Sequence, residues 1–221
     1  MYSDKVVPAI KEFLRKRFVV LTFILYVIGS LLGIIYDFLN SESGMVGSCM
    51  SLIFLPFVIL TYVLAVNKDN ETIDTALLNM IRRFLILNIV SIALLFAMSF
   101  FSAVGKIENL LVVPIVAVLG AIRIFASLKG IEFVDSIICA VESSYPDTSA
   151  PRIVGVLQFA MAPLSILMIF IGEISVLSVI MAAFNCVFNV CFGFVLLQYI
   201  EFMKELRREI IEEDSQKTTN E

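Results

Sequence analysis

Histidine is absent from all 221 residues, and that one absence removes a block of chemistry. Histidine-ligated haem, HExxH zinc hydrolysis and Ser-His or Cys-His nucleophilic dyads all need an imidazole. The four cysteines, Cys49, Cys139, Cys186 and Cys191, contain no CxxC pair. Neither a zinc ribbon nor a disulfide framework is expected from them, and they read as small buried hydrophobes. Charge is scarce as well, at 16% of residues against about 25% in a soluble domain. No nucleotide-cradling GxxxxGK and no D-x-x-D-G phosphotransferase cluster occurs. The only aspartate within an apolar run is Asp37, near the end of that run, where an intramembrane aspartyl protease needs two buried ones. No catalytic residue, cofactor site or metal site is expected, and the chain reads as a protein that is not an enzyme.

What the sequence has instead is apolar surface. Hydrophobic residues make up 60% of the chain and the mean hydropathy is +0.98, whereas a soluble domain holds roughly 45–50% apolar residues. The pattern predicts an all-α fold: a polytopic membrane helix bundle of six transmembrane helices plus short amphipathic surface helices, forming one integral membrane domain over 1–221. The spans fall at 18–39, 48–66, 84–104, 110–128, 153–171 and 174–200, each close to the ~20 apolar residues that a ~30 Å hydrocarbon core requires. The last run has no proline and no charge and continues into the charged stretch 201–214. A helix there is roughly 40 Å long over its apolar part alone and projects past the membrane. Pro56 is expected to kink the second span, and Pro163 lies in the fifth.

Two shorter stretches are amphipathic. In the segment 1–17, the cations Lys5, Lys11, Arg15, Lys16 and Arg17 accompany Val6, Val7, Ile10, Phe13 and Leu14, which are spaced for one helical face. Pro8 is tolerable there near the helix start. This is the pattern of a helix lying on a membrane surface. After Lys129 and Gly130, expected to end the fourth span, the segment 131–144 sets Val134, Ile137, Ile138 and Val141 against Glu132, Asp135 and Glu142 and reads the same way. Between spans, Asp69 or Asn70 is placed as the cap of a helix with Glu71 and Asp74 in its first turn. Turns are expected at 105–109 and 172–173, and 145–151 is expected to be a loop.

Six spans bring both termini to one side. Inward termini place every one of the 16 Lys and Arg except Lys106 on the cytoplasmic face, the asymmetry that orients membrane proteins. The expected location is the cell membrane, multi-pass, with N- and C-termini cytoplasmic, a six-span bundle at 18–200 and a charged cytoplasmic helix and tail at 201–221.

The residues of interest are polar or small side chains inside the spans. On the last span Ser175, Ser178, Ala182, Cys186, Asn189 and Gly193 recur at intervals of three and four, a stripe that lets a neighbouring backbone approach closely. Val179, Phe184, Phe188 and Phe194 are expected on the opposite face, toward lipid or the looser side of the bundle. Asn185 and Asn189 can bond across helices, with Asn88 of the third span as partner, or hold a small polar solute. Arg123 is the only cation within an apolar span; its long stem either carries it to the interface or turns it toward Glu132 or Asp135. Glu132, Asp135, Cys139 and Glu142 share a stripe that a charged surface helix explains without a metal. The expected function is that of a membrane-embedded interaction or assembly component. The alternative is a small permease or channel for a solute or cation, working along a polar path near Asn88, Arg123, Asn185 and Asn189. Expected partners are the lipid bilayer and a membrane protein or second copy of the chain, with no nucleic acid.

Overall fold

The structure is a computed structural model and describes residues 3–40, 45–67, 75–104, 112–142, 148–167 and 175–219. Seven α-helices make up almost all of it: α1 (Ser3–Leu14), α2 (Arg17–Asn40), α3 (Met45–Val66), α4 (Thr75–Val104), α5 (Val112–Glu142), α6 (Ser149–Leu167) and α7 (Val176–Thr219). No strand occurs among the described residues. Helices are what long apolar runs must form in lipid, where every backbone N–H and C=O has to be satisfied within the segment.

Three of these helices are long and apolar enough to cross a membrane: Arg17–Tyr36, Ser149–Ile166 and Val176–Glu213. Leu55–Val66 is a shorter apolar stretch. The all-helical fold expected from the sequence is therefore present, and crossing segments stand where the first, fifth and sixth spans were expected.

The six longer helices close a ring in the order α2, α3, α4, α5, α6, α7 and back to α2, with α6 on α7 and α4 on α5 as the most extensive pairings. α1 touches α2, α3, α5 and α7 and so lies across one end of that ring. The same end receives the start of α2, the end of α3, the start of α4, the end of α5 and the middle of α7, which together supply one apolar cluster. Its members include Val6, Val7, Ile10 and Phe13 of α1, Val19 of α2, Leu78 of α4, Val134 of α5 and Val195, Tyr199 and Met203 of α7.

Several sequence-level expectations change here. α1 forms, but its apolar face is spent on the protein: Val6 is 0% and Phe13 2% exposed. Pro8 lies well past the first turn of α1, on its exposed side. α5 does not stop at Lys129 and Gly130 but runs on to Glu142, so 131–142 is no separate surface helix. A helix-interior glycine costs only about 0.5–1 kcal/mol, while burying a residue such as Val134 returns roughly 1.5 kcal/mol or more. Lys129 adds an ion pair to Glu132 at 2.7 Å across the supposed break. α6 begins at Ser149, so Pro151 belongs to a helix and not to the loop; in the first turn its missing N–H breaks no helical bond. Pro56 and Pro163 both sit inside helices with their rings exposed. The cap at Asp69 or Asn70 and the turns at 105–109 and 172–173 lie outside the described residues.

Candidate functional site

The small-residue stripe of α7 meets α6. A Cβ built on Gly193 would stand 2.9 Å from the Phe159 ring, and one on Gly155 would stand 3.5 Å from the Gly193 carbonyl oxygen. Glycine at 193 is what admits the ring, which also meets Phe194 edge-on at 5.2 Å between centroids. Ala182 is 6% exposed on the same side, and Cys186 is half-buried. Asn189 donates through Nδ2 to Ser165 Oγ at 3.2 Å, while that hydroxyl donates to the Met161 carbonyl at 2.9 Å. One short polar chain thus pins α7 to α6 in the middle of an apolar seam.

The other side of α7 meets α2. Met181 lies 3.5 Å from where a Cβ on Gly33 would stand, and Phe188 packs its ring 5.6 Å from Tyr26. Of the two surroundings expected for that face, lipid or the looser side of the bundle, Phe188 thus meets the bundle, on a side of α7 that the small stripe does not account for. Val179 and Phe194 remain 43% and 48% exposed, and Phe184 is half-buried.

The remaining polar candidates do not converge. Asn88 donates to Ser127 Oγ at 3.4 Å and links α4 to α5, while α4 does not pack on α7. Asn185 is exposed, and so is Arg123. The acids proposed for Arg123 are engaged elsewhere, Asp135 with Arg82 at 3.0 Å and Glu132 with Lys129. Among the described residues no group of three potential metal ligands comes together, and Cys139 is exposed.

The densest packing lies at the end closed by α1. Phe13 meets Tyr199 edge-on and Phe202 at a tilt, each at 5.5 Å, and Phe133 closes on the other side of Tyr199 at 5.2 Å. Lys16 holds its ammonium 4.6 Å from the Phe202 ring and 5.4 Å from that of Phe13, within range of a cation–π attraction. α1 and α3 cap one another: Tyr62 donates its hydroxyl to the Leu14 carbonyl at 2.8 Å, and Arg15 donates Nε to the Val66 carbonyl at 2.9 Å. Both acceptors sit in the last helical turn, where carbonyls lack an intrahelical partner and a cation is favoured. Lys5 pairs with Glu213, so α1 runs antiparallel to the projecting part of α7. Within this cap Lys11 is 5% exposed and its Nζ has no hydrogen-bond partner among the described residues.

Sequence reasoning missed the cap as a site, although one signal was legible. Tyr199, Phe202, Met203, Leu206 and Ile210 continue an apolar stripe into the charged extension of α7, and a helix in water keeps such a stripe only if another surface covers it. Comparison with protein-family models, characterised proteins and solved structures finds no match for this chain.

Proposed function

We propose that this protein is a six-span integral membrane protein without a catalytic centre that serves as a membrane-embedded interaction or assembly component. The single observation that carries this reading is the α7 extension braced by α1. α7 is 44 residues long, about 66 Å at ~1.5 Å per residue, so it continues well beyond a ~30 Å hydrocarbon core. α1 braces that extension, and on its outer side Lys204, Arg208, Ile211 and Ser215 recur at intervals of four, three and four, all exposed. Ile211 is 50% exposed among those polar neighbours. An apolar anchor rimmed by charge on a braced helix is suited to a protein partner.

The three further spans rest on the apolar runs 48–66, 84–104 and 110–128, and the closed ring of helices supports them. Cations collected toward one end support inward termini in the cell membrane: Arg15, Lys16, Arg17, Arg82, Lys129 and Lys204 all stand close in the chain to residues of the α1 cluster. Single cysteines at positions 43 and 215 in a background lacking native cysteines test this, labelling from outside and inside respectively. Labelling of both from one side rules the topology out. For the partner face, copurification in mild detergent followed by mass spectrometry is expected to give a stoichiometric partner that is lost with Ile211→Asp. A partner retained by that variant defeats this reading.

One observation favours the second reading, a small permease or channel. Asn185, Phe192, Leu196 and Met203 lie on one stripe of α7 at intervals of 7, 4 and 7. Exposure falls along it: Asn185 is exposed, Phe192 half-buried, Leu196 3% and Met203 0% exposed. Exposure on this stripe therefore increases away from α1, which is the direction from which a solute would have to enter. Asn189→Leu separates the readings, because a packing residue loses thermal stability while a solute ligand loses uptake and keeps its melting temperature.

A further inference from the structure

Lys11 carries a charge that the docked position of α1 leaves unanswered. Its side chain is 5% exposed and its Nζ has no acceptor. The acids paired around the cap are already engaged: Glu213 with Lys5, Asp135 with Arg82 and Glu132 with Lys129. Burying an ammonium without an acceptor opposes docking. The cations that follow it in the chain, between α1 and the start of α2, are no better provided with anions. Arg15 reaches a backbone carbonyl, Lys16 reaches only aromatic rings, and both Lys16 and Arg17 are exposed.

The apolar face of α1, Val6, Val7, Ile10 and Phe13, has two places to go. It can fill the end of the ring, where it stands now, or sink into the boundary between headgroups and acyl chains. Both remove it from water, so the hydrophobic contribution largely cancels between them. Lys11 is where the two differ. The described residues of the bundle offer it no acceptor, whereas an anionic bilayer surface offers phosphate oxygens to it and to Lys16 and Arg17 together.

We propose that α1 is a strap that anionic phospholipid headgroups release from the end of the bundle, with Lys11 as the residue that makes docking respond to lipid charge. In a neutral bilayer α1 stays docked. On an anionic one it lies along the membrane surface, and Tyr199, Met203 and Val134 lose their cover. The inference rests on the membrane-embedded reading, and reconstitution distinguishes the two failures.

The test uses the full chain with native cysteines replaced, spin-labelled at the exposed positions Glu12 and Glu205, in nanodiscs of phosphatidylcholine with increasing phosphatidylglycerol. Pulsed dipolar distances are expected to show one short population in pure phosphatidylcholine and a several-fold rise of a longer one as phosphatidylglycerol is added. Lys11→Met is expected to hold the short distance at every composition. Lys16→Gln combined with Arg17→Gln, at exposed positions and removing no apolar side chain of the cap core, is expected to blunt the response should Lys11→Met fail to fold. Inorganic phosphate added to phosphatidylcholine nanodiscs is expected to leave the distance short, and release by phosphate alone overturns the assignment to a lipid headgroup. An unchanged distance in all lipids overturns the strap, as does a Lys11→Met or double-variant response equal to that of the parent. Failure of the chain to remain in the nanodisc fraction overturns both the strap and the membrane reading, whereas a retained chain with unchanging distances overturns the strap alone.

Discussion

At the end of the ring that α1 closes, Val6 and Met203 are 0% and Phe13 is 2% exposed, while at the opposite end Leu39 is 70% and Val176 80% exposed. The residue types are alike; their surroundings differ. Where helices leave the hydrocarbon, an apolar side chain must be covered by protein or contact water, at about 25 cal/mol per Å². Within the bilayer, lipid covers it as well as a neighbouring helix does, so packing there depends on small residues and a few hydrogen bonds. Stability in this protein should therefore be concentrated at the cap and thin out along the spans, and variants can break or sharpen that contrast.

The largest effect is expected for Phe13→Ala, which empties the space between Tyr199 and Phe202. Truncations of this kind cost about 3–5 kcal/mol, whereas Leu31→Ala on the exposed face of α2, 45% exposed, is expected to stay within about 0.5 kcal/mol. Thermal unfolding in detergent compares the two, and equal losses dissolve the distinction between cap and spans. Next comes Lys11→Met, which replaces an unpartnered buried ammonium by an apolar side chain of similar length. Such replacements are often stabilising by up to about 1–4 kcal/mol, and a lowered melting temperature would show that Lys11 has an acceptor after all.

A third pair contrasts two glycines. Gly193→Ala forces a methyl against Phe159 at 2.9 Å and is expected to cost about 1–3 kcal/mol. Gly29→Ala meets nothing within 4 Å and is expected to gain up to about 1 kcal/mol of helix propensity. The sign of the melting-temperature shift decides between open and closed seams. The smallest effect is expected for Asn189→Leu, which removes the bond to Ser165 at a cost of about 0.6–2 kcal/mol. The same change at the exposed Asn185 is expected to be nearly silent toward heat, and a loss at Asn185 matching that at Asn189 would mean both face protein.

Much of the fold was legible because it depends on local composition. The run 174–200 and its charged continuation predict one long helix, and α7 is one. The small stripe is legible too, since spacing alone places Ala182, Asn189 and Gly193 on one face. Their partners were not legible. Nothing in the sequence near Asn189 or Asn88 names Ser165 or Ser127, which are 24 and 39 residues away. Spacing sets Phe188 opposite the stripe without choosing between lipid and the looser side of the bundle, and only the fold shows that α2 covers it. Lys129-Gly130 looked like a stop because local breakers are judged without the contacts beyond them that reward continuation.

Composition and periodicity by themselves determined that this chain is helical and apolar enough to seek a membrane, and where its cations collect, because burial in lipid depends on residue type and the 3.6-residue turn. Only the tertiary structure decided that α1 would turn inward. An amphipathic face specifies that it must leave water but not what receives it. The receiver here is assembled from α2, α3, α5 and α7, segments far apart in the chain that meet at one end of the ring, and that meeting leaves the Lys11 ammonium buried with no acceptor among the described residues.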